Sequence, residues 1–172
     1  MTVLTNKSKT KESEKDLWRT QPRLLDNIER YMGEAIVFDA CASPGANLRP
    51  GFFSPEEDAL TQSWPDRGLI WCNPPFSRKA AFVEKAAHEA RTRGSRTVFC
   101  LPTDLVQKYW GIVHAYSRLV LVPDKRINFI DGRGNVTKGV NFQTCFPVIG
   151  GLTPDTSTCM YRIVRELTEG LE

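Results

Sequence analysis

The sequence predicts an α/β fold, a mostly parallel sheet flanked by helices with an antiparallel hairpin at its C-terminal end. Three observations predict it. Short apolar runs at 35–40, 69–72, 97–102 and 118–123 alternate with stretches of helical periodicity, the pattern of parallel strands joined by crossover helices. The stretches 142–149 and 160–164 have strand character with no helical pattern between them, as antiparallel neighbours do. Finally, 172 residues suit one core, and no repeat or linker divides them, so 16–172 is expected to be a single domain.

Each element follows from local chemistry. Residues 1–15 carry almost no apolar side chain and are expected to be disordered. Their Lys7, Lys9, Lys11 and Lys15, mixed with Glu12 and Glu14, fit either a solvated tail or an arm that touches nucleic acid. Leu17, Trp18, Leu24, Leu25, Ile28 and Tyr31 form a helical stripe broken at Pro22, which predicts a helix over 22–32 with Pro22 in its first turn. Residues 35–40 read as a buried strand ending at Asp39, and Ser43-Pro44-Gly45-Ala46-Asn47 as a loop. A brief strand is expected at Phe52-Phe53 and a second buried strand over 69–72, with Asn73-Pro74-Pro75-Phe76 at its end. Ser77 is placed as N-cap of a helix over 78–93 that Gly94 stops. A third strand covers 97–102, and Thr103 or Asp104 caps a helix reaching Tyr116. A fourth strand covers 118–123, residues 126–130 alternate, and 131–141 is polar and glycine-containing, suited to a mobile loop.

Composition narrows the class. The net charge of +3 permits a nucleic-acid partner without requiring one. No apolar run approaches the ~20 residues of a membrane span, and the polar start lacks a signal-peptide core, so the expected location is the cytoplasm. The five cysteines form no C-x-x-C pair and two of them, Cys72 and Cys100, sit in strand-like runs; they read as free thiols, neither a disulfide framework nor a zinc site. His88 and His114, the only histidines, fall in helical segments without a trusted ligand partner, and no metal is expected.

The chemistry concentrates at Asn73-Pro74-Pro75-Phe76. An exocyclic amine on a base is a poor nucleophile because its lone pair is delocalised into the ring. Two acceptors aimed at the amino hydrogens draw that lone pair out, and an Asn side-chain oxygen with a neighbouring backbone carbonyl makes such a pair. Consecutive prolines lock φ and lack N–H groups, so they hold the carbonyl rigidly. An adjacent aromatic ring stacks on a base turned out of its duplex. Asn73, Pro74, Pro75 and Phe76 supply these roles, by electrostatic preorganisation without a strong base. In isolation Asn-Pro-Pro also makes a rigid strand-ending turn; its place after an apolar strand and before a helix is what sets it apart.

In that setting the motif resembles that of the amino-methyltransferases, Asn/Asp-Pro-Pro-Tyr/Phe. The chain is more narrowly similar to the phage-type DNA N6-adenine methyltransferase (Dam) family. The matching pieces, in order, are Trp18-Arg19-Thr20-Gln21-Pro22, Phe38-Asp39-Ala40-Cys41-Ala42-Ser43-Pro44, Phe53-Ser54-Pro55-Glu56-Glu57-Asp58-Ala59-Leu60 and Trp71-Cys72-Asn73-Pro74-Pro75-Phe76, continuing into Leu101-Pro102-Thr103-Asp104 and Arg126-Ile127-Asn128-Phe129. Two departures stand out: Gln21 separates Thr20 from Pro22, and the first loop has Gly45 alone. The resemblance implies a Rossmann-like methyltransferase domain of phage or prophage origin that uses S-adenosyl-L-methionine. It implies that Asp39 and Ser43 flank the methionine part of that cofactor, Asp58 reaches its adenine or ribose, Thr20 touches its carboxylate, and Asn73 also borders it. Double-stranded DNA is the implied partner, with Arg78, Lys79, Lys125 and Arg126 as candidate phosphate contacts. The motif alone also serves amino groups of RNA bases and of protein glutamine, and a degenerate copy would bind nucleic acid without turnover; these alternatives stay open, as does the oligomeric state.

Overall fold

The computed structural model describes residues 15–42, 49–138, 140–151 and 159–171. Along the chain run α1 (Pro22–Met32), β1 (Ile36–Asp39), β2 (Gly51–Phe52), β3 (Leu69–Cys72), α2 (Lys79–Arg93), β4 (Arg96–Phe99), β5 (Leu101–Pro102), α3 (Tyr109–Tyr116), β6 (Ser117–Pro123), β7 (Thr144–Ile149), β8 (Met160–Val164) and a 3₁₀ turn (Glu166–Thr168). The sheet order is β2-β1-β3-β4-β7-β6-β8, with β5 paired to β7. It is mixed and mostly parallel: β2, β1, β3 and β4 run parallel. β7 is antiparallel to both β4 and β6, and β8 runs parallel to β6 on the far edge, so the expected antiparallel hairpin of 142–149 with 160–164 does not form: β6 lies between them.

β3 shows why the fold has three layers. Its four residues are all buried, and they alternate between two cores, as the period of two demands. Leu69 and Trp71 face the core of α1, with Leu24, Leu25, Ile28 and Phe146. Ile70 and Cys72 face the core of α2 and α3, with Phe82, Val83, Trp110 and Val113. α1 begins with proline in its first turn and ends at Gly33 in the left-handed region; α2 ends the same way at Gly94. Among the described residues, no helix is long and apolar enough to cross a membrane.

Several local expectations are corrected. Ser77 does not cap α2: the helix starts one residue later, with Arg78 in the cap position and no side-chain cap. The Ser77 amide and hydroxyl instead both donate to the Asp16 carboxylate, at 3.1 and 2.8 Å. Thr103 and Asp104 do not cap α3, which starts only at Tyr109. The Thr103 amide extends the β5–β7 ladder to Gln143 O, and the Asp104 carbonyl closes a turn onto the Gln107 amide. The expected strand 97–102 is broken into β4 and β5, paired to different parts of β7. Residues 126–130 join no strand. Ile127 and Phe129 are buried in the core, while Ile130 bridges Arg19 and Val136. In β1, Val37 is 44% exposed, so that strand is less buried than its composition suggests.

Gly150, just past β7, has φ +97, and a Cβ there would stand 2.2 Å from the Ser95 carbonyl oxygen. Backbone on backbone cannot yield cheaply. Gly150→Ala is therefore expected to cost about 3 kcal/mol or more, read as a melting temperature lower by roughly 6 °C or more.

Candidate active site

The site lies where β1 and β3 end together. Their parallel register sets Asp39 opposite Trp71, and the Ala40 amide donates to Trp71 O at 2.8 Å. Asp39 and Asn73 thus emerge side by side at the carboxyl edge of the sheet, where such folds bind ligands. β2 contributes from the other side. The Phe53 amide donates to Asp39 O, which brings Phe53, Ser54 and Asp58 against the same opening. The result is a cleft with about 850 Å³ of empty space, mouth included, bordered by Thr20, Asp39, Asp58, Asn73 and Arg78. That is the size of a small-molecule site.

Thr20, Asp39, Asp58 and Asn73 therefore all meet in this cleft. Ser43 lies outside the described residues. Thr20 is buried, and its hydroxyl has no hydrogen-bond partner among the described residues, although it borders the cleft. Asp58 has φ +45, the one positive φ outside glycine among the described residues, and its carboxylate lies 3.4 Å from the Arg78 guanidinium. Both partners are substantially exposed, so the pair adds little stability. Cys41 and Cys72 bring their sulfurs to 3.5 Å as free thiols. Burial pushes both above the ordinary thiol range, which keeps them protonated and poor nucleophiles.

Asn73 stands at the border of two spaces, because it also lines a second, smaller pocket of about 220 Å³ together with Pro74, Phe76 and Phe142. The Asn73 side-chain amide donates to Trp18 O at 3.2 Å, which turns its oxygen end outward as an acceptor. Pro75 O accepts from the Arg78 amide and Phe76 O from the Lys79 ammonium. Pro74 O has no donor among the described residues, so Asn73 Oδ1 and Pro74 O both remain available.

Sequence reasoning missed the residues around this motif. The segment 15–20 is a strap over the site. Asp16 holds Ser77, Trp18 O holds Asn73, and Arg19 exchanges two backbone bonds with Ile130. The Trp18 ring stacks on Phe129 at 5.5 Å and on Phe142 at 6.1 Å, and Phe142 meets Phe76 at 5.3 Å. Trp18 shares the spacing of a helical stripe, Phe129 falls in a matching family segment and Phe142 opens an expected strand, but none of these signals says that the three rings meet. Lys79 Nζ lies 3.7 Å from the centre of the Phe76 ring and Lys15 Nζ 5.0 Å, which makes the rim of the smaller pocket positive. Arg78 faces the larger cleft through Asp58. Lys125 and Arg126 lie on the exposed stretch after β6, with Arg126 donating to Val140 O. The polar segment 131–141 opens with a tight turn at Asp131–Asn135. Asp131 Oδ1 accepts from the Arg133 and Asn135 amides at 2.8 and 2.9 Å, bonds that, led by the one from Asn135, hold its carboxyl below the usual range. Among the described residues there is no cluster of three metal-ligating side chains.

Asp39 is the most perturbed carboxylate of the site. Burial pushes it up to about 6, against the opposing effects of the Cys41 amide, which donates to it at 3.0 Å, and the Arg49 guanidinium. The folded state thus binds this proton more tightly than the unfolded chain does. Stability conferred by the protonated form is complete below about 3.8 and is lost as pH rises to about 6. Asp39→Asn keeps the acceptor for Cys41 and removes the buried charge. It is expected to stabilise the protein at pH 7.5 by up to roughly 3 kcal/mol, with the gain vanishing near pH 4 in melting curves; a destabilised variant at pH 7.5 would refute the desolvation argument.

Comparison with known proteins places this geometry. The sequence profile described as DNA N-6-adenine-methyltransferase (Dam) matches residues 7–158. A DNA N-6-adenine-methyltransferase of Haemophilus phage HP1 is 32% identical over 126 residues, 73% of this chain and 72% of the phage protein. Another so named, from Escherichia phage T1, is 32% identical over 95 residues, 55% of this chain and 39% of its own length. Sharing most of its length with the profile, and its strand-end Asn-Pro-Pro-Phe with the site just described, the chain belongs to the DNA N-6-adenine-methyltransferase (Dam) family.

Proposed function

We propose that the chain transfers a methyl group from S-adenosyl-L-methionine to the N6 amino group of adenine in double-stranded DNA, with the base flipped into the pocket beside Asn73-Pro74-Pro75-Phe76. Family membership supports the reaction class, methyl transfer to adenine in DNA. The observation that carries the finer reading is the position of Asn73 between the large cleft and the small aromatic pocket, with Oδ1 and Pro74 O unclaimed by the protein.

The cleft suits the cofactor on its own chemistry. The Thr20 hydroxyl is a buried group in want of a partner, fit for a carboxylate. Asp39 is a desolvated carboxylate fit for a cation, and Asp58 can accept from hydroxyls or an amine. Ser43, which follows β1 in the sequence, is assigned to the methionine part by the family resemblance. Bound there, S-adenosyl-L-methionine supplies an electrophilic methyl group. Asn73 Oδ1 and Pro74 O accept the two amino hydrogens and localise the nitrogen lone pair, while Phe76 stacks on the ring. Trp18 O keeps the Asn73 amide in the required sense. Arg78, Lys79, Lys125 and Arg126 supply phosphate contacts. Residues 16–172 work as one unit, in the cytoplasm of a bacterial host.

Incubation of the chain with tritiated cofactor and duplex DNA, followed by digestion to nucleosides, is expected to put the label in N6-methyldeoxyadenosine; label confined to RNA or protein would replace this reading with an alternative substrate. Asn73→Ala should lower kcat by on the order of 10²-fold with cofactor affinity little changed. Asp39 must be ionised to meet a cation, so calorimetric cofactor affinity should fall as pH drops below about 6, and in Asp39→Asn it should be weak at every pH.

A further inference from the structure

The small pocket contains one polar group that the chemistry above leaves unused. Thr144 opens β7 opposite Pro102 of β5, and both line the pocket with Phe76 and Phe142. Thr144 is 1% exposed, yet its hydroxyl has no hydrogen-bond partner among the described residues. A buried hydroxyl left unpaired costs about 1–3 kcal/mol, so one retained in a native fold calls for a partner. The other two strong side-chain donors of the pocket each have a partner in the fold: the Asn73 amide on Trp18 O and the Lys79 ammonium on Phe76 O.

We propose that Thr144 is a specificity-determining residue that donates a hydrogen bond to a ring nitrogen of the flipped base. The inference rests on the adenine-methyltransferase reading and adds to it. Adenine presents its amine between two acceptor ring nitrogens, N1 and N7. Acceptors at Asn73 Oδ1 and Pro74 O read the amine, and a donor beside them reads the nitrogen next to it. Guanine and thymine present a carbonyl in place of that amine and an N–H in place of N1. Against them, the pocket's two acceptors meet an oxygen, and buried polar groups left unpaired reject a ligand strongly. A hydroxyl suits this task because it rotates to place its hydrogen. Stacking against Phe76 supplies affinity that does not depend on which base enters.

The test is a cycle between Thr144→Val, which keeps the shape and removes the hydroxyl, and the base itself. Rates are measured on a duplex with one mapped target adenine and on the same duplex carrying 1-deazaadenine or 7-deazaadenine there. The wild type is expected to lose about three- to tenfold in kcat/KM on one analogue, the worth of one hydrogen bond. T144V should lose the same factor on adenine and nothing further on that analogue. T144S should match the wild type on all three substrates, and T144V should melt at or above the wild-type temperature. Additive losses on both analogues, an unchanged kcat/KM for T144V on adenine, or a lowered melting temperature would each overturn the role. Failure of the wild type to methylate adenine in any duplex would instead overturn the function reading.

Discussion

The site depends on the parallel pairing of β1 with β3. That pairing levels Asp39 with Trp71 and so delivers a carboxylate and, two residues later, Asn73 to one edge of the sheet. The register is held by more than its ladder. Leu69 and Trp71 fill one core and Ile70 and Cys72 the other, so a slip of one residue would turn each side chain toward the wrong layer. The same pairing sets the cleft beside the pocket with a single residue, Asn73, bordering both. A reaction between two bound molecules needs that adjacency, because holding the partners in contact removes much of the entropic barrier.

The strap at 15–20 completes what the sheet begins. Asp16 and Trp18 reach residues about sixty positions away, Ser77 and Asn73, and Arg19 ties the strap to Ile130. Three separate segments thus bear on one side chain, and the Asn73 amide is oriented before any substrate arrives. Preorganisation of this kind shows as groups the protein does not satisfy by itself. The hydroxyls of Thr20 and Thr144 are buried without partners, and Asp39 is held where its charge is disfavoured. Thr20 and Asp39 border the larger cleft and Thr144 the smaller pocket, where a bound molecule would relieve them, the local form of the usual exchange of stability for function.

Electrostatics and aromatic packing divide the site in a consistent way. The larger cleft carries the carboxylates Asp39 and Asp58, which suit a cationic ligand. The smaller pocket is walled by rings and rimmed by Lys15 and Lys79, which suits a stacked base attached to phosphate. Arg78, beside Phe76 in sequence, is paired to Asp58 and so links the two halves.

Much of this was legible in the sequence where local physics dominates. The runs of apolar residues located β1, β3 and β6, proline opened α1, and glycine ended α2. Asn73-Pro74-Pro75-Phe76 stood out because two prolines, an amide and a ring in a row have few structural reasons to follow a buried strand. What remained hidden depends on partners far apart in the chain. Ser77 has the ideal chemistry for an N-cap, yet Asp16 claims it; Thr103 joins a ladder to Gln143 rather than opening a helix. The stacking of Trp18 on Phe129 and Phe142 and the unpaired hydroxyl of Thr144 depend on groups far apart in the chain, which no local pattern reports. The sequence by itself determined the parallel strands β1 and β3, the buried run of β6 and the Asn-Pro-Pro-Phe motif at the end of β3, because those follow from neighbours along the backbone. Only the tertiary structure decided which distant groups hold that motif and which are left waiting for a ligand, because hydrogen bonding and desolvation are settled by what packs around each atom.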